Sequence, residues 1–249
     1  MPDNLNVNGG VLIIGSLLWQ PNLGNADNTI RKDWRNNYLK MPSKIAVNAP
    51  IRYGRQSGGG VYTMTFSNSC RKKPGNAIVA AFRNNPVKTY DELLREATEL
   101  SRAEGMGRKF IEAGSAGIWG VLGILFNENR IEKLKKTAIL TWWETRLREE
   151  LLYPDFNYKN FRLGTESPSI LQNGKLNFPW ITALHAKDSK QLNEFDFLIG
   201  TATLPTNIKY PCVQKMVSNI QNDTGRNYFR NNNASGIVTH QDERILKKL

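Results

Sequence analysis

The chain is poor in the residues that carry much of enzyme chemistry. It has two cysteines and two histidines in 249 residues. Cys70 and Cys212 stand far apart and neither lies in a CxxC, so a disulfide framework or a thiol-rich zinc site is not expected; two free thiols in a reducing compartment are. His185 and His240 lie far apart with no obvious Ser or Cys partner, which argues against a histidine-dependent triad and against a His-rich metal site. No run reaches the roughly eighteen apolar residues of a membrane span. The start, Met1-Pro2-Asp3-Asn4, lacks the basic and apolar segments of a secretory signal. A cytoplasmic protein without a membrane partner is the expectation. No internal repeat is present. Ser57 to Gly60 is glycine-rich but lacks the Gly-Lys-Ser/Thr of a P-loop, so it reads as a turn.

Acidic residues are also in deficit, with 34 Lys and Arg against 22 Asp and Glu and a formal net charge of +12. Such a balance suits an acidic partner such as nucleic acid. The basic residues are scattered in short runs, however: Arg71-Lys72-Lys73, Lys133 to Lys136 and Lys247-Lys248. No RNP-like aromatic motif or basic arm accompanies them. Nucleic acid is therefore a possible partner that the pattern does not favour, and a small-molecule substrate is preferred. The oligomeric state is not legible.

What is present is a chain 40% apolar, long enough for one domain spanning 1–249 with a sizeable core. Val11 to Ile14 reads as a buried strand. It breaks at Gly15-Ser16, resumes with Leu17-Leu18-Trp19, and stops at Pro21, which puts strand one over Gly10 to Trp19. A strand ending in Gly-Ser lets a ligand approach bare backbone N–H groups; the same residues also suit a plain core strand with a bend. Ile30 to Arg35 is expected as a short surface helix. Strands are expected over Lys44 to Tyr53, Val61 to Phe66, Ala77 to Phe82, Ile118 to Phe126 and Phe195 to Leu204, the first two forming a hairpin or adjacent pair. Thr89-Tyr90-Asp91-Glu92 is a capping box opening a helix that runs to Glu104 and stops at Gly105. Further helices are expected over Ile131 to Leu152, Pro211 to Asn222 and Gln241 to Leu249, with a long loop near 153–179.

Two constellations could carry chemistry. Glu104 falls on the apolar stripe of its own helix, with Leu93, Ala97 and Leu100. A carboxylate drawn toward the core has a raised pKa, which suits a general acid or base; a fraying helix end that releases it into water, or pairs it with Arg108, is the alternative. Arg52-Tyr53-Gly54-Arg55 follows a strand, and two arginines flanking a tyrosine could clamp carboxylates; exposed arginines at a strand edge are the alternative. Glu144, beside Trp142 and Trp143, is a weaker candidate, because an amphipathic helix with its tryptophans on different sides explains it.

Gly15-Ser16-Leu17-Leu18-Trp19-Gln20-Pro21 resembles the opening of the gamma-glutamylcyclotransferase family, a hydrophobic strand running into Tyr-Gly-Ser-x-Leu. Trp19 and Pro21 match the glutathione-specific branch, and Arg52 to Ser57 is similar to an Arg-aromatic stretch of that branch. Leu100-Ser101-Arg102-Ala103-Glu104-Gly105 looks like the family's Leu-Asp-x-x-Glu-Gly context. The family tyrosine falls on Ile14 and its aspartate on Ser101. The resemblance covers chiefly residues 10 to 105. It implies an α+β fold with a mostly antiparallel, barrel-like sheet and helices packed outside, a core at 10–127 and a C-terminal extension at 128–249. It implies Glu104 as the catalytic residue, Gly15, Ser16, Leu17, Arg52, Tyr53 and Arg55 as substrate-binding residues, and no metal or cofactor. The implied activity closes a gamma-glutamyl compound to 5-oxoproline; a binding protein that has lost this chemistry is the alternative.

Overall fold

Gly9–Ile13 forms strand β1, buried along its whole length. A strand covered on both faces has no polar alternation, which is why Val11 to Ile14 reads as an unbroken apolar run. The computed structural model describes residues 4–22, 29–57, 60–114, 117–150, 157–206 and 209–249, without the side chains of 112–114, 117 and 150. The further strands are β2 (Ile45–Ala49), β3 (Ile51–Gln56), β4 (Tyr62–Phe66), β5 (Gly75–Ala81), β6 (Ile111–Gly114), β7 (Gly117–Phe126), β8 (Thr182–Ala183) and β9 (Phe197–Thr203). The helices are α1 (Ile30–Tyr38), α2 (Tyr90–Glu104), α3 (Lys133–Glu150), α4 (Ser189–Leu192), α5 (Val213–Ile220), α6 (Asp223–Ala234) and α7 (Asp242–Leu246).

The architecture is mixed α+β around a seven-stranded sheet of order β6-β7-β9-β1-β5-β2-β8. β1 and β9 are parallel, and the other pairings in the sheet are antiparallel. The expected barrel-like closure is not found. Among the described residues β6 and β8 each have one neighbour, so the sheet is open, and β3 and β4 form a separate pair. Pro50 accounts for that separation. The expected single strand over Lys44 to Tyr53 is two strands, because proline has no N–H for the ladder. β2 stays in the large sheet, while β3 leaves it to pair with β4.

The hairpin folds back over the end of β9. Thr65 Oγ1 donates to the Thr203 carbonyl at 3.0 Å, and Thr203 Oγ1 donates to the Met64 carbonyl at 3.3 Å. β1 and β9 start together, Gly9 opposite Phe197 in parallel register, and β9 runs two residues further, so the turn after Ile13 lies beside the end of β9. Trp119 reaches the same end, its carbonyl accepting the Leu204 N–H at 2.8 Å. The hairpin, the turn after β1 and the beginning of β7 therefore meet at one end of the central strands.

α2 begins and ends where its caps predict. Thr89 Oγ1 accepts the Glu92 N–H at 3.2 Å, and Gly105 adopts φ 88°, which favours glycine. The 157–179 segment lacks regular periodicity, as expected, but it is pinned to the sheet. Ile124 N–H donates to the Gly174 carbonyl and Leu176 N–H to the Ile124 carbonyl, and Phe161, Ile170, Leu176 and Phe178 are buried. Ile78, Val79 and Leu93 belong to one core, against which Trp19 and Trp119 pack half-buried. Trp142 and Trp143 are both buried rather than divided between core and surface, their rings edge to face at 6.1 Å. Among the described residues no helix is long and apolar enough to cross a membrane.

Candidate active site

At this end of the central strands lies a cavity of about 760 Å³, within the size range of small-molecule sites. Gly15, Ser16, Leu17, Arg55 and Glu104 all line it. Five residues drawn from three separated stretches of sequence thus share one space. Arg52 and Tyr53 do not. Arg52 lies 3.8 Å from the centre of the Tyr210 ring and donates to Ser69 Oγ at 3.1 Å. Tyr53 is fully buried and donates to Asp242 Oδ2 at 3.3 Å. The physical reason is the strand itself. Residues alternate between faces, and an irregularity between Tyr53 and Arg55 shifts the register at Gly54, so three positions cannot all face one ligand.

The floor of the cavity is the turn after β1. Ser16–Leu18 is a short 3-10 turn whose preceding residue, Gly15, is extended at φ −172°. A Cβ placed on Gly15 would stand 2.9 Å from Tyr228 Oη, so the glycine permits a close approach rather than an unusual backbone angle. Two arginines one turn apart on α1 brace this turn. Arg31 Nη1 donates to Ser16 Oγ at 3.0 Å and to Gln20 Oε1, and its Nε donates to the Ala103 carbonyl at 3.0 Å. Arg35 Nη1 donates to the carbonyls of Leu17 and of Gln20, the latter at 2.9 Å. α1 is therefore not the expected surface helix. Arg31, Trp34 and Arg35 are buried on one face, at the spacing that marks a packed stripe.

Arg31 ties the turn to the end of α2, where Glu104 is the last residue. A carboxylate at a helix C-terminus stands where the macrodipole disfavours negative charge. Burial raises the Glu104 pKa, and Arg31, Thr201 and Arg55 pull it back without cancelling that rise. Thr201 Oγ1 is buried and completes no well-formed hydrogen bond among the described residues; as a donor beside Glu104 it favours the carboxylate. Burial likewise lowers the pKa of Arg31 and of Arg55, and the Glu104 charge opposes it in both. The Arg55 guanidinium lies 4.9 Å from the centre of the Trp119 ring, and its buried Nε has no hydrogen-bond partner. The cavity is thus lined by a carboxylate with a raised pKa, an arginine and a threonine, a set able to bind a polar ligand and to move a proton on it.

The far wall is α6, for which the sequence offered no expectation. Thr224, Asn227, Tyr228 and Asn231 line the cavity. They recur at three and four residues, but the helix carries Asn222, Gly225 and three consecutive asparagines, Asn231 to Asn233, which resemble a polar loop. Its N-cap, Asn222 Oδ1 accepting the Gly225 N–H at 2.7 Å, is the signal that could have found it. Ile14, on the family's tyrosine position, also lines the cavity. Ser101, on the aspartate position, is buried and donates to the Lys109 carbonyl.

Other candidates lie elsewhere. Glu144 is outside the cavity and accepts from Arg148 at 2.6 Å. His240 does have a cysteine neighbour, contrary to expectation: its Nδ1 lies 3.7 Å from Cys70 Sγ. Burial pushes the Cys70 thiol up and the His240 imidazole down, so both favour their neutral forms. Cys70 and Cys212 are free thiols. Among the described residues no three His, Cys, Asp or Glu side chains gather as metal ligands. Comparison of the chain with protein-family models, with curated proteins and with solved structures gave no match.

Proposed function

We propose that this pocket binds a small gamma-glutamyl compound and closes it to 5-oxoproline. The observation that carries the reading is the convergence of Glu104 with Gly15, Ser16, Leu17 and Arg55 on one cavity. In this reading Arg55 takes the substrate carboxylate on the part of its guanidinium that lines the cavity, and backbone N–H groups of the turn hold the glutamyl group. Glu104 removes a proton from the α-amine. The amine nitrogen then attacks the side-chain carbonyl carbon and a five-membered ring forms. The amide C–N bond breaks, and the proton held by Glu104 passes to the departing nitrogen. The products are 5-oxoproline and a free amine, with no net change in protons. A raised carboxylate pKa suits this role, because a stronger base shares the proton more evenly with an amine.

The binding-protein reading has one observation in its favour: Ser101 spends its hydroxyl on the Lys109 backbone and so offers nothing to the cavity. Assay of 5-oxoproline release from gamma-glutamyl amino acids, glutathione and gamma-glutamyl amines separates the two. Turnover by the wild-type protein, lost in Glu104→Gln, supports the cyclotransferase. Binding of these compounds without release of 5-oxoproline supports the alternative.

A further inference from the structure

Tyr228 has a proton to give and, among the described residues, no bonded acceptor to receive it. It lines the cavity from α6, with its ring edge to face with Trp19 at 6.1 Å. Its Oη accepts the Met64 N–H at 3.3 Å. The Asn232 amide, whose nitrogen completes no well-formed hydrogen bond among the described residues, lies close enough as a donor to favour negative charge on that oxygen. Both neighbours are donors toward Oη, so neither can take the phenolic proton. Among the described residues no acceptor is bonded to it. Burial, with the charge of Glu104 adding to it, pushes the Tyr228 pKa up to about 12, so the hydroxyl keeps its proton at neutral pH.

The position of that proton is informative. Oη stands 2.9 Å from where a Cβ of Gly15 would be, directly over the turn that forms the floor. From there it is also coupled electrostatically to Glu104. A carbonyl group bound between the turn and the carboxylate would present its oxygen to this hydroxyl. We propose that Tyr228 donates a hydrogen bond to the carbonyl oxygen of the compound held in this pocket, the oxygen on which negative charge develops as the ring closes. This rests on the cyclotransferase reading for the identity of that carbonyl. Proton transfer stays with Glu104, and Tyr228 retains its proton throughout. A donor preset toward a developing oxyanion acts mainly in the transition state.

The test uses the full chain and a double-mutant cycle. Gly15→Ala is the informative partner. Gly15 is extended, and the atoms its methyl would meet within 4 Å are Oη and Cζ of Tyr228. Steady-state release of 5-oxoproline from gamma-glutamylalanine gives kcat and KM, calorimetry gives the affinity for 5-oxoproline itself, and thermal melting reports folding. Tyr228→Phe should lower kcat about 100-fold, as loss of an oxyanion donor does elsewhere, with KM changed less than about threefold. It should also weaken 5-oxoproline binding. Gly15→Ala should lower kcat by displacing the hydroxyl. The double variant should be no worse than Tyr228→Phe alone, since the methyl then fills the vacated space.

The donor role is overturned if Tyr228→Phe keeps kcat within about threefold of wild type. It is equally overturned if the two losses multiply in the double variant, or if Tyr228→Phe loses activity only in step with its melting temperature. Should Tyr228→Phe fail to fold, unchanged kcat in Gly15→Ala overturns it. A wild-type protein that turns over gamma-glutamylalanine while Tyr228→Phe is indifferent defeats this proposal alone. A wild-type protein that neither turns it over nor binds 5-oxoproline defeats the cyclotransferase reading, and the donor role with it.

Discussion

Two half-buried carboxylates, Glu104 and Glu166, show how the same side chain becomes either reactive or structural. Burial pushes the pKa of each upward. At Glu166 that push is more than offset by Tyr210, Leu163, Ser67 and Ser69, and the pKa ends lowered. Oε2 accepts Ser67 Oγ and the Ser69 N–H, both at 2.7 Å, while Oε1 accepts the Leu163 N–H at 3.1 Å and the Tyr210 hydroxyl. Arg52 caps the group by stacking on Tyr210. At Glu104 the compensation is incomplete and the pKa ends raised. Its neighbours Thr201 Oγ1 and Arg55 Nε carry unused hydrogen-bonding capacity. A fully satisfied carboxylate stabilises the fold; an under-satisfied one beside a cavity is left for a ligand. The contrast also separates the two arginines of β3 by place: Arg52 stacks on Tyr210 beside Glu166 and Arg55 lines the cavity with Glu104, although the Nε of each is buried without a hydrogen-bond partner.

The largest effect that could break this contrast is kinetic. Glu104→Gln should lower kcat about 10³-fold, within the span of general-base catalysis, with little change in KM. Its folding stability should change little, because relief of the carboxylate's desolvation is offset by the support lost to Arg31 and Arg55. A Glu104→Gln protein with wild-type turnover would end the assignment. Glu166→Gln should behave in reverse, costing about 3 kcal/mol in urea unfolding at pH 7 through its lost charge-assisted bonds, while kcat of the folded protein stays near wild type. A stability loss at Glu104 equal to that at Glu166 would erase the distinction.

A pH series sharpens it. Glu96, 2% exposed on α2 with Arg95 as its ion-pair partner at 3.5 Å, has its pKa raised to about 7, chiefly by burial. The folded state therefore holds this proton more tightly than the unfolded state. Its stabilising effect is complete below the ordinary carboxylate range and is lost as pH rises through about 7. Glu166, with a lowered pKa, has the opposite sign: its contribution is present at neutral pH and lost as pH falls through its folded value. Glu96→Gln should accordingly flatten the decline between pH 5 and pH 8, an effect of about 2 kcal/mol.

Smaller effects divide the arginines and tryptophans. Arg55→Lys should raise KM about tenfold by removing a planar donor, while Arg52→Lys should leave KM unchanged and lower the melting temperature. Equal KM effects would mean that Arg55 is not singled out by the cavity. Trp119→Ala should cost only about 1 kcal/mol of stability, because a half-buried ring loses less than a core one; calorimetric melting measures it. A loss of several kcal/mol would show that Trp119 is structural rather than a wall of the site.

Local signals were sufficient wherever a residue's role depends on near neighbours in the chain. The capping box at Thr89, the Gly105 stop, the hairpin of β3 and β4, the buried runs of β1, β5, β7 and β9, and the placement of Glu104 on an apolar stripe are all of this kind. Each follows from periodicity, caps or turn chemistry within one element. Tertiary structure decided the rest. It broke one expected strand at Pro50, left the sheet open among the described residues, and turned Arg52 and Tyr53 away from the cavity. It also brought in two groups that no short-range pattern connects to Glu104: Arg31 from a polar segment more than seventy positions earlier, bonded to the Ala103 carbonyl, and Tyr228 from an asparagine-rich helix in the other half of the chain. Hydrogen-bond satisfaction is likewise invisible in one dimension. Whether a half-buried carboxylate is sated, like Glu166, or left wanting, like Glu104, depends on donors delivered by distant segments, and that difference makes one a brace and the other a candidate base.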